Sequence, residues 1–227
     1  MDLFLLIGQS NMAGFGKLAD VPPIHHNRVQ MWRQMGFVPA QEPLHQDHPS
    51  NGIGLGMRFG EMIAEAQPDV QVGLIPCAVS GTAIRRWVPG ADLYQRALRR
   101  TRLAQEFGTL KGILWLQGES DAGSLKAAHA HLPQFVEMLH ALRHDLQAWD
   151  VPFLCGELGP HLVHFSGCRF SDVVNQQYHT LNLPQFRMVS AAGLTHGGDK
   201  VHFSAASLRT LGERFAETYL EIISETD

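Results

Sequence analysis

The sequence contains little cysteine. Its 227 residues include only Cys77, Cys155 and Cys168, and three cysteines cannot all pair with one another. Cys77 and Cys155 lie in apolar runs of the kind that form buried strands. We therefore expect buried free thiols and a reducing compartment, because disulfides are rare in such compartments.

Long hydrophobic runs are also missing. The apolar stretch near the N terminus, Leu3–Ile7, is too short to span a bilayer. It lacks the basic flank and the small-residue cleavage site of a signal peptide. As it stands, the sequence predicts a cytoplasmic protein with no membrane partner. A leader removed upstream would leave no trace, and the protein would then be secreted.

Charged residues are few, at 18% of the sequence, and the net charge is −4. Basic side chains are scattered, apart from one cluster at helical spacing: Arg96, Arg99, Arg100 and Arg102. A solvated helix face is the favoured interpretation of this cluster, and a phosphate-binding patch is the alternative. Nucleic acid is not an expected partner, because its recognition needs a larger basic surface.

Metal and nucleotide motifs are absent. Thirteen histidines occur, some in pairs such as His129 with His131 and His140 with His144. None belongs to a His-Glu-x-x-His motif, and no cysteines have zinc-binding spacing. The alternating glycines at 52, 54 and 56 do not complete a dinucleotide fingerprint. We therefore expect neither a metal nor a cofactor.

Apolar residues, in contrast, are abundant at 44%, enough for one domain that spans residues 1–227. The short apolar runs predict strands at Leu3–Ile7, Val70–Ala78, Leu110–Leu116, Val151–Leu158 and Arg187–Ala192. Segments of helical period alternate with them, at Gly56–Ala66, Asp92–Phe107, Leu125–Trp149, Ser171–Leu181 and Ala205–Ile223. This alternation predicts an α/β fold with a parallel sheet and helices on both sides. Pro133 is expected to break or restart its helix, and residues 36–54 and 159–169 are expected to be long loops.

Polar segments follow the predicted strands. They are Gly8-Gln9-Ser10-Asn11-Met12, residues 79–87, Gln117-Gly118-Glu119-Ser120-Asp121 and, before the last helix, residues 199–204. Ligands bind outside the carboxyl ends of strands in open α/β sheets. The four segments therefore predict one site at one edge of the sheet.

The residue types in these segments suit acyl transfer. Ser10 at a strand-to-helix turn has the exposed hydroxyl of a nucleophile, and Asp199 with His202 supplies an oriented base. The Ser10 and Gly81 N–H groups and the Gln117 amide are candidate oxyanion donors. Taken singly, these features have other interpretations: Ser10 as a helix cap, the Asp-x-x-His pair as a surface turn, and Glu119 and Asp121 as first-turn acids.

The four segments together resemble a known family. Gly-Gln-Ser-Asn-Met, Gly-Thr-x-Ile-x-x-Trp, Trp-x-Gln-Gly-Glu-Ser-Asp and Asp-x-x-His-Phe occur in the order found in the SGNH hydrolase superfamily. More narrowly, they resemble its sialate O-acetylesterase and acetylxylan esterase branch, carbohydrate esterase family 6. The resemblance implies a three-layer αβα sandwich with a mostly parallel, flavodoxin-like sheet. It also implies no cofactor, and deacetylation of sugars through an acetyl-serine intermediate.

The same resemblance implies roles for individual residues. Ser10 matches the nucleophile, His202 the base and then acid, and Asp199 its orienting carboxylate. Ser10, Gly81 and Gln117 match the oxyanion hole, with Gln117 standing where the wider superfamily has asparagine. Gln9 and Glu119 are expected to support the pocket. Ser80 departs from the branch, which often has a second glycine there.

Substrate recognition is expected near Arg85, Arg86 and Trp87. An exposed Trp87 indole would stack on a sugar, and the arginines would bind hydroxyls or a sugar carboxylate. Alternatively, Trp87 packs against the first helix of the following segment and the arginines are solvated. The leading hypothesis is an O-acetylesterase acting on acetylated xylan-type oligosaccharides or sialic acid. The alternatives are a lipase-like or thioesterase-like hydrolase and a catalytically silent sugar-binding domain. The sequence gives no signal for an oligomeric state.

Overall fold

A computed structural model describes residues 1–225. Its centre is a seven-stranded sheet, whose strands in chain order are β1 (Asp2–Gly8), β2 (Val29–Arg33), β3 (Gly36–Pro39), β4 (Val72–Pro76), β5 (Thr109–Leu116), β6 (Phe153–Gly156) and β7 (Phe186–Val189). The spatial order is β3-β2-β4-β1-β5-β6-β7. Every neighbouring pair is parallel except β2 with β3. The predicted mostly parallel sheet is confirmed.

The helices cover both faces of the sheet. They are α1 (Ser10–Ala13), α2 (Gly56–Ala66), α3 (Asp92–Ala104), α4 (Leu125–Asp145), α5 (Ser171–His179) and α6 (Ala205–Ser224). Short 3-10 helices occupy Ile84–Arg86, Glu119–Asp121 and Pro160–His164. Apolar side chains of α3, α4 and α5 form one core, and those of α2 and α6 form the other. The predicted three-layer αβα sandwich is therefore confirmed.

The central strand β1 is an uninterrupted apolar run because it is covered on both faces. Residues Leu3–Ile7 of β1 are all fully buried, so side chains on both faces of the strand are in a core. A continuous apolar run suits such a strand, because alternation is needed only where one face meets water. The three cysteines are also buried and free, as predicted. No helix among residues 1–225 has both the length and the apolar character to cross a membrane.

The prediction of a loop over residues 36–54 is wrong at its start. β3 pairs antiparallel with β2, and β2 was not predicted at all. Gln34, with φ of 48°, makes the tight turn between them. This hairpin has little signal in the sequence, because β3 is half-exposed and the turn lacks the Asn-Gly or Asp-Gly pair that usually marks one.

The predicted break at Pro133 is also wrong, since α4 runs through it from Leu125 to Asp145. A proline inside a helix costs about 3 kcal/mol, because it removes one hydrogen bond. Phe135, Met138 and Leu139 are fully buried just beyond it. Burial of each large apolar side chain contributes about 1.5–3 kcal/mol, which offsets that cost.

Candidate active site

The candidate site lies at the carboxyl end of β1. This strand lies between β4 and β5, the point of the sheet where such folds bind ligands. β1 ends at Gly8, whose φ is +137°, and a Cβ on this residue would lie 2.1 Å from the carbonyl oxygen of Leu116. Only glycine fits this turn, and it brings Ser10 to the first position of α1.

The Ser10 side chain forms a hydrogen-bonded chain with His202 and Asp199. His202 Nε2 lies 3.0 Å from Ser10 Oγ, and His202 Nδ1 lies 2.5 Å from Asp199 Oδ2. The structure therefore brings together the three residues that the sequence analysis assigned to catalysis. Their order and distances are those of a nucleophile, a base and an orienting carboxylate.

Asp199 and His202 are held in place by further contacts. Asp199 Oδ1 accepts hydrogen bonds from the N–H groups of Val201 and His202, at 2.9 and 2.8 Å. Burial opposes ionisation of Asp199, but these bonds and the His202 imidazole lower the pKa of its carboxyl below the usual value. The Phe15 ring stacks on the His202 imidazole, with ring centroids 4.4 Å apart. The His202 imidazole therefore has a fixed orientation towards Ser10.

Asn11 connects three of the four polar segments. Its Nδ2 donates to Glu119 Oε1 at 2.6 Å, and its Oδ1 accepts from the Phe203 N–H at 3.0 Å. Glu119 is buried, and this burial raises the pKa of its carboxyl. These contacts agree with the expected supporting role of Glu119.

Backbone donors are available next to Ser10. Ser10 and Gly81 line the same groove. Neither of their N–H groups donates a hydrogen bond within residues 1–225. Gly81 has a φ of +67°, which favours glycine. Both groups are therefore free to bind an oxyanion.

The predicted role of Gln117 is wrong. Its side chain is fully buried, and its Nε2 donates to the Thr82 carbonyl oxygen at 2.9 Å and to Asp121 Oδ2 at 2.7 Å. Both acceptors need an N–H donor, which fixes the orientation of the amide. The Gln117 side chain thus binds the loop that carries Gly81 from the protein interior and does not face the groove.

Gln9, unlike Gln117, is among the residues that line the groove. Its Oε1 accepts from the Ser120 N–H at 3.3 Å and from Gln117 Nε2 at 3.4 Å. Its Nε2 donates to no acceptor in the part of the chain that the structure describes. The glutamine amide that lines the groove together with Ser10 is therefore that of Gln9.

A buried polar network, which no sequence pattern indicated, lies behind the loop that follows β4. Asp121 Oδ2 also accepts from the Ile84 N–H at 2.9 Å and lies 3.4 Å from His131 Nδ1. His131 Nε2 contacts Tyr178 Oη at 2.5 Å, and Trp115 Nε1 donates to the same oxygen at 3.0 Å. Asp121 is therefore more than a first-turn acid, since it fixes the loop that follows β4. The sequence offers no signal that pairs His131 with Tyr178.

The prediction that Trp87 stacks on a sugar is wrong. Its indole is only 1% exposed, packs edge-on against Trp115, and donates from Nε1 to Thr82 Oγ1 at 3.1 Å. Arg85 and Arg86 are not among the residues that line the groove. Arg86 instead forms a surface ion pair with Asp92. The structure does not bring the three predicted substrate residues to Ser10.

The groove has a volume of about 450 Å³. Several of its wall residues were not predicted: Phe15, His48, Gly167 and Cys168. They come from three separate loops and belong to no motif, so nothing in the sequence marks them. Within residues 1–225 no cluster of three or more histidine, cysteine, aspartate or glutamate side chains is placed to hold a metal ion.

The chain was compared with known families. Residues 1–221 match the family described as carbohydrate esterase, sialic acid-specific acetylesterase. The chain belongs to this family. It is therefore a carbohydrate esterase, a hydrolase of carboxylic esters.

Relatives of the esterase support this assignment. A probable carbohydrate esterase of Arabidopsis thaliana is 31% identical over 242 residues, covering 96% of this chain and 90% of the plant protein. A crystal structure from Arabidopsis thaliana superposes with a TM-score of 0.90 at 29% identity, covering 97% and 98% of the two chains. Both matches thus cover at least 96% of this chain and at least 90% of the plant chain.

More distant structures share the fold. A carbohydrate acetylesterase from Xanthomonas citri has a TM-score of 0.67 at 19% identity, covering 95% of the esterase and 55% of that chain. An acetylxylan esterase from Geobacillus stearothermophilus has a TM-score of 0.54 at 16% identity, covering 96% and 93%. The sheet and its helices are thus common to all these proteins.

Proposed function

We propose that this esterase removes O-acetyl groups from carbohydrates through an acetyl-serine intermediate. The observation that carries the proposal is the hydrogen-bonded chain from Asp199 through His202 to Ser10, which opens into the groove. A serine hydroxyl is a weak nucleophile at neutral pH and needs such a base to attack an ester.

The chain supports a two-step mechanism. His202 Nε2 accepts the Ser10 proton as Oγ attacks the acetyl carbonyl carbon, and Asp199 stabilises the imidazolium that forms. His202 then donates the proton to the sugar oxygen, which leaves as an alcohol. In the second step His202 accepts a proton from water, whose oxygen attacks the acetyl-serine. Acetate leaves, and the proton returns to Ser10.

Three donors surround the position of the oxyanion in this proposal. They are the N–H groups of Ser10 and Gly81 and the side-chain Nε2 of Gln9, since each lines the groove and donates to no other residue in the described range 1–225. A donor of this kind typically contributes about 3–4 kcal/mol of transition-state stabilisation. Gln9 thereby replaces Gln117 in the set expected from the sequence.

The family and the groove support the proposed substrate class. Two relatives in fold are named for carbohydrate acetyl esters, and the family is described by sialic acid-specific acetylesterase activity. Ser80, Ser120, Glu119 and His48 place polar groups around Ser10, where sugar hydroxyls would bind. We therefore propose acetylated xylan-type oligosaccharides or O-acetylated sialic acid as substrates.

The test compares hydrolysis of 4-nitrophenyl acetate and 4-nitrophenyl octanoate by wild type and Ser10→Ala. We expect hydrolysis of the acetate alone, a loss of several orders of magnitude in Ser10→Ala, and an acetyl adduct on Ser10 in acid-quenched wild type. Ser224→Ala, an exposed serine at the end of α6, is the control and should keep full activity.

A second assay then compares acetate release from acetylated xylo-oligosaccharides and O-acetylated sialic acid. Equal activity on octanoate would instead indicate a lipase-like hydrolase. No activity of the wild type on any of these esters would indicate a sugar-binding domain. Activity retained by Ser10→Ala would exclude the acetyl-serine mechanism.

A further inference from the structure

A second cavity lies beside the groove, at the carboxyl ends of β2 and β4. It has a volume of about 570 Å³. Arg33 at the end of β2, Arg96 and Arg100 on α3, and His45 and Asp47 in the segment after β3 line it. The arginines of α3, whose spacing suits either a solvated face or a phosphate-binding patch, fall into two groups in the structure. Arg96 and Arg100 face the cavity.

The three arginines at this cavity have no carboxylate partner within residues 1–225. Arg33 donates from Nη2 to the Pro43 carbonyl oxygen at 3.0 Å, which leaves its charge unbalanced. Burial, with a further contribution from the nearby Arg100 guanidinium, lowers the pKa of Arg33. Like charges gathered from two distant segments repel one another, so this arrangement favours the binding of an anion.

His45 provides an independent sign of a ligand. It is only 3% exposed, and neither ring nitrogen has a hydrogen-bond partner in the described part of the chain. Such buried polar groups are rare in folded proteins, where almost all are paired. Burial lowers the pKa of His45 to about 3, against an opposing effect of Asp47, so the imidazole is neutral and has one N–H to donate.

Asp47 forms no ion pair with the three arginines within residues 1–225. Its Oδ1 accepts from Asn51 Nδ2 at 2.7 Å, and its Oδ2 accepts from the Ser80 N–H at 2.7 Å. Oδ2 is thus directed to the loop that carries Gly81, and Oδ1 to the segment of Asp47 itself. With three guanidinium groups and one carboxylate, the lining has an excess of two positive charges. That excess matches a dianion better than a single carboxylate.

We propose that this cavity binds a phosphate group, either of inorganic phosphate or of a phosphorylated sugar. Phosphate monoesters carry nearly two negative charges at neutral pH. Arginine binds phosphate oxygens with paired N–H donors, and the His45 N–H supplies a further one. The phosphate site is separate from the ester groove, so it does not depend on the esterase mechanism proposed above.

The test is isothermal titration calorimetry of the full chain with inorganic phosphate, glucose 6-phosphate and glucuronate at low salt. Arg100→Gln is expected to weaken phosphate binding by at least about tenfold, because a charge-assisted hydrogen bond is lost. Arg99→Gln is the matched control, since it removes the same charge from the neighbouring position of α3, where the side chain is exposed. We expect less than a twofold change in this control.

Arg96→Gln repeats the test at a second cavity position, in case Arg100→Gln lowers the melting temperature of the free protein. Tighter binding of glucose 6-phosphate than of phosphate would support a phosphorylated sugar as the ligand, and equal binding would support inorganic phosphate. The proposal is overturned if neither phosphate probe binds at millimolar concentration. It is also overturned if Arg99→Gln weakens binding as much as Arg100→Gln, or if glucuronate binds as tightly as phosphate. Ser10→Ala should bind phosphate as the wild type does, so the phosphate site can be confirmed or overturned whatever the outcome of the esterase test.

Discussion

Asn11 Nδ2 donates a hydrogen bond of 2.6 Å to Glu119 Oε1, across 108 residues of sequence. This bond joins the residue after the candidate nucleophile to the segment that follows β5. The same asparagine accepts from the Phe203 N–H, next to His202. Asn11 therefore fixes the relative positions of Ser10 and His202, although it contacts neither Ser10 Oγ nor His202 Nε2.

The pH dependence of stability tests the buried state of Glu119. Burial raises its pKa above the usual value of about 4.5, so the folded protein retains a proton that the unfolded chain has released. The free energy of unfolding should therefore fall as pH rises from 4.5 through the raised pKa. Glu119→Gln cannot ionise and should lack this fall.

Thermal unfolding of wild type and Glu119→Gln between pH 4 and pH 8 measures this effect. Glu106→Gln, at an exposed position, serves as the control and should follow the wild type. A difference in melting temperature between Glu119→Gln and wild type that is the same at every pH would contradict the prediction.

Gln9→Ala tests the side-chain oxyanion donor. We expect kcat for 4-nitrophenyl acetate to fall about 10²–10³-fold with little change in KM, because the donor acts on charge that develops only in the transition state. Gln95→Ala, on the exposed side of α3, is the control.

Gln117→Ala should instead lower the free energy of unfolding by about 1–3 kcal/mol, since Thr82 and Asp121 lose a buried donor. A fall in kcat confined to Gln117→Ala, with stability unchanged, would restore Gln117 as the donor.

Asp199→Asn tests the orientation of His202. The variant keeps Oδ1 for its backbone bonds but presents an N–H to His202 Nδ1. The imidazole would then hold its proton on Nε2 and lose the lone pair that accepts the Ser10 proton. We expect kcat/KM to fall about 10³–10⁴-fold in steady-state assays. Asp69→Asn, at an exposed position, should have no effect, and a fall of less than tenfold in Asp199→Asn would argue against the triad.

Trp87→Phe tests the buried position of the indole. The variant removes the donor to Thr82 Oγ1 and should lower the free energy of unfolding by about 1–3 kcal/mol in chemical denaturation. Trp149→Phe is the matched control, because this indole is 50% exposed, and it should change stability by less than about 0.5 kcal/mol. An unchanged stability of Trp87→Phe, with a raised KM for acetylated oligosaccharides, would support sugar stacking after all.

Motif and periodicity together predicted most of the site from the sequence. Ser10, Gly81 and Glu119 follow β1, β4 and β5, and all three line one groove because the carboxyl ends of parallel strands meet at one edge. Gln117 shows the limit of this reasoning. It lies in the predicted segment, yet the direction of its side chain depends on Thr82 and Asp121, which only the folded chain brings within reach.

The sequence by itself determined the fold class, the family and the order of the polar segments. These depend on local periodicity and on residue types at fixed spacing, which are properties of the linear chain. Tertiary structure alone decided that Gln9, not Gln117, faces the groove and that Trp87 is buried. It also decided that Arg33, Arg96 and Arg100 share a cavity with His45. The physical reason is that side-chain direction and burial depend on contacts between distant segments, and no spacing in the sequence encodes those contacts.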